Sequence, residues 1–310
     1  MIRFLAPLLW TVAGLTAADD GVSKLIAQLK SKSARERMQA SSDLARLGPD
    51  ARDALPMLLT LAQKDEEPKV RALALYAIKQ QGDHARSAIP RVIDVLKNDK
   101  NAEVRCIAAD TLGRFGASAK EAVRVLADAL TDKEVGPHAA QALGNLGDNA
   151  VQAIPDLLKA LEESATRSQS ALALSRIGKE ALPGLTKGLS NPDADVRVEV
   201  VLALGNLGAH GVKPLIVALN DREADVRLNA ITSLGKNLEE AESAIKPLAD
   251  RVAKDKSPDV RILACQTLAR FGGRAKGTLP ILESAAKEES DKIRDAAREA
   301  LESIRKAVSK

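Results

Sequence analysis

Three histidines, two cysteines and a row of arginines are the side chains here with the most chemistry available to them. His84, His138 and His210 stand far apart, and none belongs to the H-E-x-x-H pattern that sets two zinc ligands on one helical turn. No histidine is followed by glutamate at all. Gly116-Ala117-Ser118-Ala119-Lys120 lacks the closing glycine of a nucleophile elbow and the strand that must precede it. Acidic turns such as Asn191-Pro192-Asp193-Ala194-Asp195 lack the glycine and terminal glutamate of a calcium loop, and suit helix caps instead. Cys106 and Cys265 read as small core residues rather than a redox pair. Nothing converges, so the expectation is a protein that is not an enzyme, with no metal and no cofactor.

The arginines lead to the architecture. Arg37, Arg71, Arg105, Arg167, Arg197, Arg227, Arg261 and Arg294 recur every 30 to 34 residues once Gly136 is counted between Arg105 and Arg167. With each arginine as position zero, the residue at +7 is leucine or isoleucine and that at +3 is small or short, usually alanine. Apolar residues at −1, +3, +7 and +10 (Val196, Val200, Leu204 and Leu207 in one copy) fall on one face of a helix. A glycine at +11, such as Gly48, Gly116 or Gly272, predicts the left-handed residue that closes a helix. Pro68 and Pro258 sit where a first helical residue needs no N–H. Between copies lies a second apolar run opened by proline, as in Leu55-Pro56, Ile89-Pro90 and Leu279-Pro280. The unit is therefore a pair of antiparallel helices joined by short polar turns. A single pair cannot bury its own apolar face, so neighbours must stack.

The order of signals, a proline-led helix, a turn, D-V-R and then A-x-x-A-L-G-x-L-G, resembles the HEAT-repeat family over roughly Ala34 to Ile304. It is closest to the short form first described in phycobilisome lyases. The resemblance implies an all-α superhelix, an α-α solenoid of about nine two-helix repeats, with the arginine helices lining a concave surface. It also implies that the arginines make a structural inter-repeat ladder with the acid two residues before them. The residues concerned are Arg71, Arg105, Arg197, Arg227 and Arg261, with Asp195, Asp225 and Asp259.

A second row points to a partner. The residues at +9 include Arg114, Asn145, Arg176, Asn206, Lys236 and Arg270, all cationic or amide, and no acid interrupts them. They lie about 100° from the core direction and would line up along one side of the stack. Cations near a helix C-terminus also offset its dipole, and both accounts stand. Position +5, expected to face outward, carries Tyr76, Leu172 and Leu202. Leu172 and Leu202, with Val198 and Leu228 at +1, form either an apolar contact patch or a seam buried between neighbouring helices.

The ends and the composition set the setting. Arg3, an apolar run from Phe4 to Leu15 and Thr16-Ala17-Ala18 describe a signal peptide over residues 1–18. The expected solenoid is 19–310, with an atypical first helix at Gly21–Lys32 and a charged C-terminal cap. Export to the periplasm or the exterior follows, with no membrane span after the signal is removed. The net charge of +4 and the scarcity of aromatic residues count against nucleic acid as a partner. The lyase-type resemblance makes bilin handling an alternative, opposed by the export signal and the lack of an aromatic pocket. The partner expected is a protein or peptide segment lying on the concave row.

Overall fold

The computed structural model describes residues 21–288 and 290–309, and every regular element among them is a helix. The expected signal peptide, residues 1–18, lies outside the described residues. The chain forms two compact units that divide between Asp156 and Leu157. Each is a stack of helical hairpins, as a repeat sequence requires.

In the first unit the arginine helices are Ala34–Leu47, Pro68–Gln80, Ala102–Phe115 and Gly136–Leu146. They alternate with Leu55–Lys64, Ile89–Asn98 and Val123–Ala129. In the second unit Arg167–Ile177, Ala194–Asn206, Ala224–Lys236, Pro258–Phe271 and Asp291–Val308 alternate with Leu182–Gly188, Val212–Ala218, Ile245–Lys254 and Leu279–Ala285. Within a unit each arginine helix packs against the next arginine helix and against the helix that precedes it.

The core is built from the positions the period selects. Ala40, Ala74, Ala108, Ala230 and Ala264 at +3, and Leu44, Leu112, Leu204 and Leu234 at +7, have no exposed surface. Alanine at +3 lets helix axes approach closely, and leucine at +7 fills the space above it. Position +10 is less uniform. Phe115 and Phe271 are buried, Leu47 is exposed, and Gln81 is fully buried with its amide donating to the Ala51 carbonyl at 3.0 Å.

Two local expectations need correction. The glycines at +11 do take positive φ, but Gly48 has φ 57°, ψ −124° and Gly272 has φ 57°, ψ −136°. That is the mirror image of extended backbone, not the left-handed helical cap. It turns the chain abruptly instead of closing one more turn. The link that follows is also no polar turn. It is a 3-10 segment, as in Gly48–Ala54, Gly82–Ala88, Gly116–Ala122, Gly147–Ala153 and Gly272–Thr278. Its residues at +14 and +17, among them Ala51, Ala54, Ala85, Ala88, Ala119 and Ala122, are fully buried. The 3-10 rise puts residues three apart on one edge, so alanine pairs pack inward while charged neighbours face water.

The fourth and fifth copies start late. Their helices begin at Gly136 and Arg167, position zero, where the other arginine helices begin three residues earlier. In the fifth copy the Thr166 hydroxyl, buried at −1, donates to the Ala160 carbonyl at 2.8 Å. The final helix turns Ile293, Ala297 and Ile304 inward and leaves Asp295, Arg298 and Glu302 exposed.

Candidate protein-interaction surface

The arginines at position zero point into the stack, but not towards the acids two residues before them. Arg71 donates through Nε and Nη2 to Asp99 at 2.6 and 2.7 Å, and Arg197 does the same to Asp221 at 2.7 and 2.9 Å. Arg227 is bidentate on Asp255, Arg37 on Asp65, and Arg105 pairs with Asp132 through Nη2 at 2.7 Å. Arg261 pairs with Glu288. The acid of each rung follows the next linking helix, and in most rungs it stands six residues before the following arginine.

A rung is also a joint. The third nitrogen of the guanidinium bonds the backbone six residues back, as Arg71 does at the Asp65 carbonyl and Arg227 at the Asp221 carbonyl, both at 2.8 Å. Asp65, Asp99, Asp221 and Asp255 each also accept the backbone N–H two residues on, which fixes the entry to the next helix. Asp65, Asp99 and Asp221 therefore each couple two successive arginines through carboxylate and carbonyl, whereas Arg261 turns its Nε to the Val252 carbonyl. Burial raises the carboxyl pKa of Asp132, Asp221 and Asp255, but the arginine and backbone hydrogen bonds outweigh it and hold all three below the ordinary range. Hydrogen bonds to Asp99 and Asp221 in turn raise the pKa of Arg71 and Arg197 respectively.

Asp195, Asp225 and Asp259 are therefore not the partners of Arg197, Arg227 and Arg261. Asp195 instead lies 3.4 Å from Arg167, with its side chain 82% exposed. Asp225 and Asp259 stand exposed in the first turns of their helices. The signal that would have found the true rungs is an acid six residues before an arginine, seen in Asp65…Arg71, Asp99…Arg105, Asp221…Arg227 and Asp255…Arg261.

The row at +9 does face water. Arg114, Asn145, Arg176, Asn206, Lys236 and Arg270 are all exposed. In the second unit part of it borders a shallow groove of about 250 Å³ that crosses three consecutive arginine helices. Leu172 and Leu202 form its floor, Asn206 and Lys236 one edge, and Ser168 and Glu199 contribute to its wall. Both leucines are half-buried, which places them between the two alternatives of exposed patch and closed seam. The groove exists because the helices approach closely beneath it: a Cβ on Gly205 would lie 2.7 Å from the Ser233 hydroxyl. Ser168 and Glu199 were not singled out by sequence, and their hydroxyl–carboxylate hydrogen bond ties two neighbouring helices. Tyr76 is 45% exposed on the first unit. Asp110 forms an ion pair with Lys79 at 3.6 Å and lies 2.9 Å from His138 Nδ1, so His138 is engaged in an inter-repeat pair.

The cysteines are quiet. Burial, with Asp110, Asp132 and Glu134 nearby, raises the pKa of the Cys106 thiol, and burial pushes Cys265 up to about 11. Among the described residues no group of three or more histidines, cysteines or acids could hold a metal ion, and no helix is long and apolar enough to cross a membrane.

A family model of HEAT repeats matches residues 89–175, 154–219 and 212–302, more than half of the chain. The chain belongs to the HEAT-repeat family. Its HEAT repeats share their fold with crystal structures of the karyopherin Kap121p. One, bound to the extreme C-terminus of the protein phosphatase Cdc14p, matches with a TM-score of 0.68 and 14% identity over 94% of this chain. Others, bound to Nup53p and to Pho4p, match with TM-scores of 0.64 and 0.67, at 15% and 14% identity over 99% of this chain. In these matches the HEAT chain spans 38–39% of the length of Kap121p. No curated protein matches it.

Proposed function

We propose that this HEAT protein is an exported, non-enzymatic interaction scaffold that holds a protein or peptide segment on the face formed by its arginine helices. One observation carries the proposal. Leu172, Leu202, Asn206 and Lys236, chosen from sequence position alone, line one groove across three consecutive helices. A half-buried apolar floor with an amide and a cation along its edge suits a segment that contributes apolar side chains and backbone carbonyls. Repeat stacking makes such a surface extended and rigid, so little conformational entropy is lost when a partner lands on it. The Kap121p structures, bound to Nup53p, Pho4p and a phosphatase C-terminus, support scaffolding by this fold, while concavity comes from the family resemblance. Export is supported by the pattern of Arg3, the Phe4–Leu15 run and Thr16-Ala17-Ala18.

The test is a display selection of random peptides on the full mature chain. The selected peptides are then titrated against the parent protein and against a variant carrying Leu202→Asp and Lys236→Glu. Lys236 is exposed and Leu202 only half-buried, so the variant should still fold, which its melting temperature checks. Affinity should fall at least tenfold. Peptides that bind both proteins equally would place the site elsewhere.

A further inference from the structure

The corrected ladder changes what the binding face offers. If Asp195, Asp225 and Asp259 had paired with the arginines two residues on, their charge would have been spent inside the stack. Instead Arg197, Arg227 and Arg261 are satisfied by Asp221, Asp255 and Glu288. The three acids at −2 are left on the surface, exposed, at the N-terminal edge of three consecutive helices, Asp195 keeping 82% of its side chain exposed beside Arg167.

That edge belongs to the same face as the groove. At 100° per residue, positions −2, +1, +5 and +9 all fall within one outward quadrant, so they follow one another along the exposed side of each helix. The order along Ala194–Asn206 is Asp195, Val198, Leu202, Asn206; along Ala224–Lys236 it is Asp225, Leu228, Thr232, Lys236; along Pro258–Phe271 it is Asp259, Ile262, Gln266, Arg270. With a rise of about 1.5 Å per residue, the acidic edge and the amide or cationic edge are roughly 16 Å apart. A band holding half-buried Val198, Leu228 and Ile262 runs between them. These helices pack in sequence, so the three rows cross from one to the next.

Helix dipoles favour acids at any N-terminus, yet they do not explain this arrangement. In the first unit position −2 holds Arg35, Lys69, Glu103 and Glu134, and position +1 holds Met38, Ala72, Cys106 and Pro137, so acids there have no branched apolar residue beside them. Consecutive acids and consecutive branched apolar residues occur together only on Ala194–Asn206, Ala224–Lys236 and Pro258–Phe271, the first two of which also line the groove. Arg167 lies beside Asp195, Lys256 is exposed close by, and Arg222 is turned back to donate to the Pro192 carbonyl at 2.7 Å, so the edge is most acidic at Asp225 and Asp259.

We propose that this face binds a peptide in the polyproline II conformation laid across the helices, with a lysine or arginine at every third residue directed to Asp195, Asp225 and Asp259. Its apolar side chains occupy the central band, and Asn206, Lys236 and Arg270 hold the opposite side of its backbone and repel its cations towards the acids. The spacing is set by geometry: in the polyproline II conformation three residues make one turn and advance about 9 Å, which returns every third side chain to the same side, and neighbouring helices stand about 8–10 Å apart. Each repeat thus meets the same register of the peptide. The proposal rests on the groove being the binding surface, and adds the charge and period of what binds there.

Fluorescence anisotropy with three synthetic peptides tests it. One carries lysine at every third residue with apolar residues between, the second has the same composition scrambled, and the third carries glutamate in place of lysine. The periodic lysine peptide should bind at least tenfold more tightly than either of the others. A variant with Asp225→Lys and Asp259→Lys should lose at least tenfold for the lysine peptide and gain for the glutamate peptide, with its melting temperature nearly unchanged. That reciprocal gain is not produced by a merely structural defect. If all three peptides bind equally and Leu202→Asp weakens them all, the groove stands and its proposed polarity is wrong. If the lysine peptide does not bind, or Leu202→Asp leaves it unaffected, the groove itself is not the site.

Discussion

Asp255 shows how much one side chain does in this protein. Its side chain is 1% exposed, it receives both nitrogens of Arg227, and it accepts the Ser257 N–H. Replacing it with alanine strands a guanidinium that is itself only 9% exposed, at a cost of about 3 kcal/mol. Asp43, which meets Arg46 on the surface, is worth less than about 1 kcal/mol. Urea denaturation of Asp255→Ala and Asp43→Ala should separate the two by that margin. The sign of the pH effect follows from the depressed carboxyls of Asp132, Asp221 and Asp255. Their contribution is complete above about pH 4, where the unfolded carboxyl ionises, and is lost as pH falls through the lower folded values. Asp255→Asn should therefore flatten the acid limb of the stability curve, and an unchanged limb would mean that other carboxylates set it. The sequence placed the arginines of this ladder but not their acids. A partner about 28 residues away is chosen by packing, and the nearest acid in the sequence is not the nearest in space.

At the scale of the element, the glycine at +11 sets the turn after most arginine helices, although the Arg227 copy turns with Leu238 in its place. Gly82 has φ 56° and nothing within 4 Å of where a Cβ would stand. Gly277 is equally open but is not held at positive φ. Gly82→Ala should cost about 1–3 kcal/mol through backbone strain alone, whereas Gly277→Ala should be neutral or stabilising by roughly 0.5 kcal/mol. Equal effects in denaturant titrations would show that φ is not what this position requires. The glycine was legible in the sequence because its requirement is local. The 3-10 segment after it was not, since alanine pairs such as Ala85 and Ala88 lie among charged residues and their burial is conferred by the neighbouring helices.

For the whole molecule, stability is a chain of nearest-neighbour contacts, so an end exposes a core. The Asp291–Val308 helix packs on Pro258–Phe271 and buries Ile293, Ala297, Leu301 and Ile304. A chain ending after Ala286 should lose these contacts and uncover the packing face of the preceding arginine helix. It should melt at a lower temperature and associate in light scattering, and a monodisperse truncated chain would show that the last helix is dispensable.

Composition and period alone determined that this chain folds as stacked helical pairs, which positions are core, where proline opens a helix and where glycine ends one. Those are consequences of 3.6-residue geometry and backbone sterics, and they act within a single repeat. Tertiary structure decided which acid each arginine takes, that Leu172 and Leu202 are half-buried along a groove, and that Asp195, Asp225 and Asp259 stay on the surface beside it. Each of these is a relation between repeats, set by how closely two helices approach, and that distance is written in no single stretch of the chain.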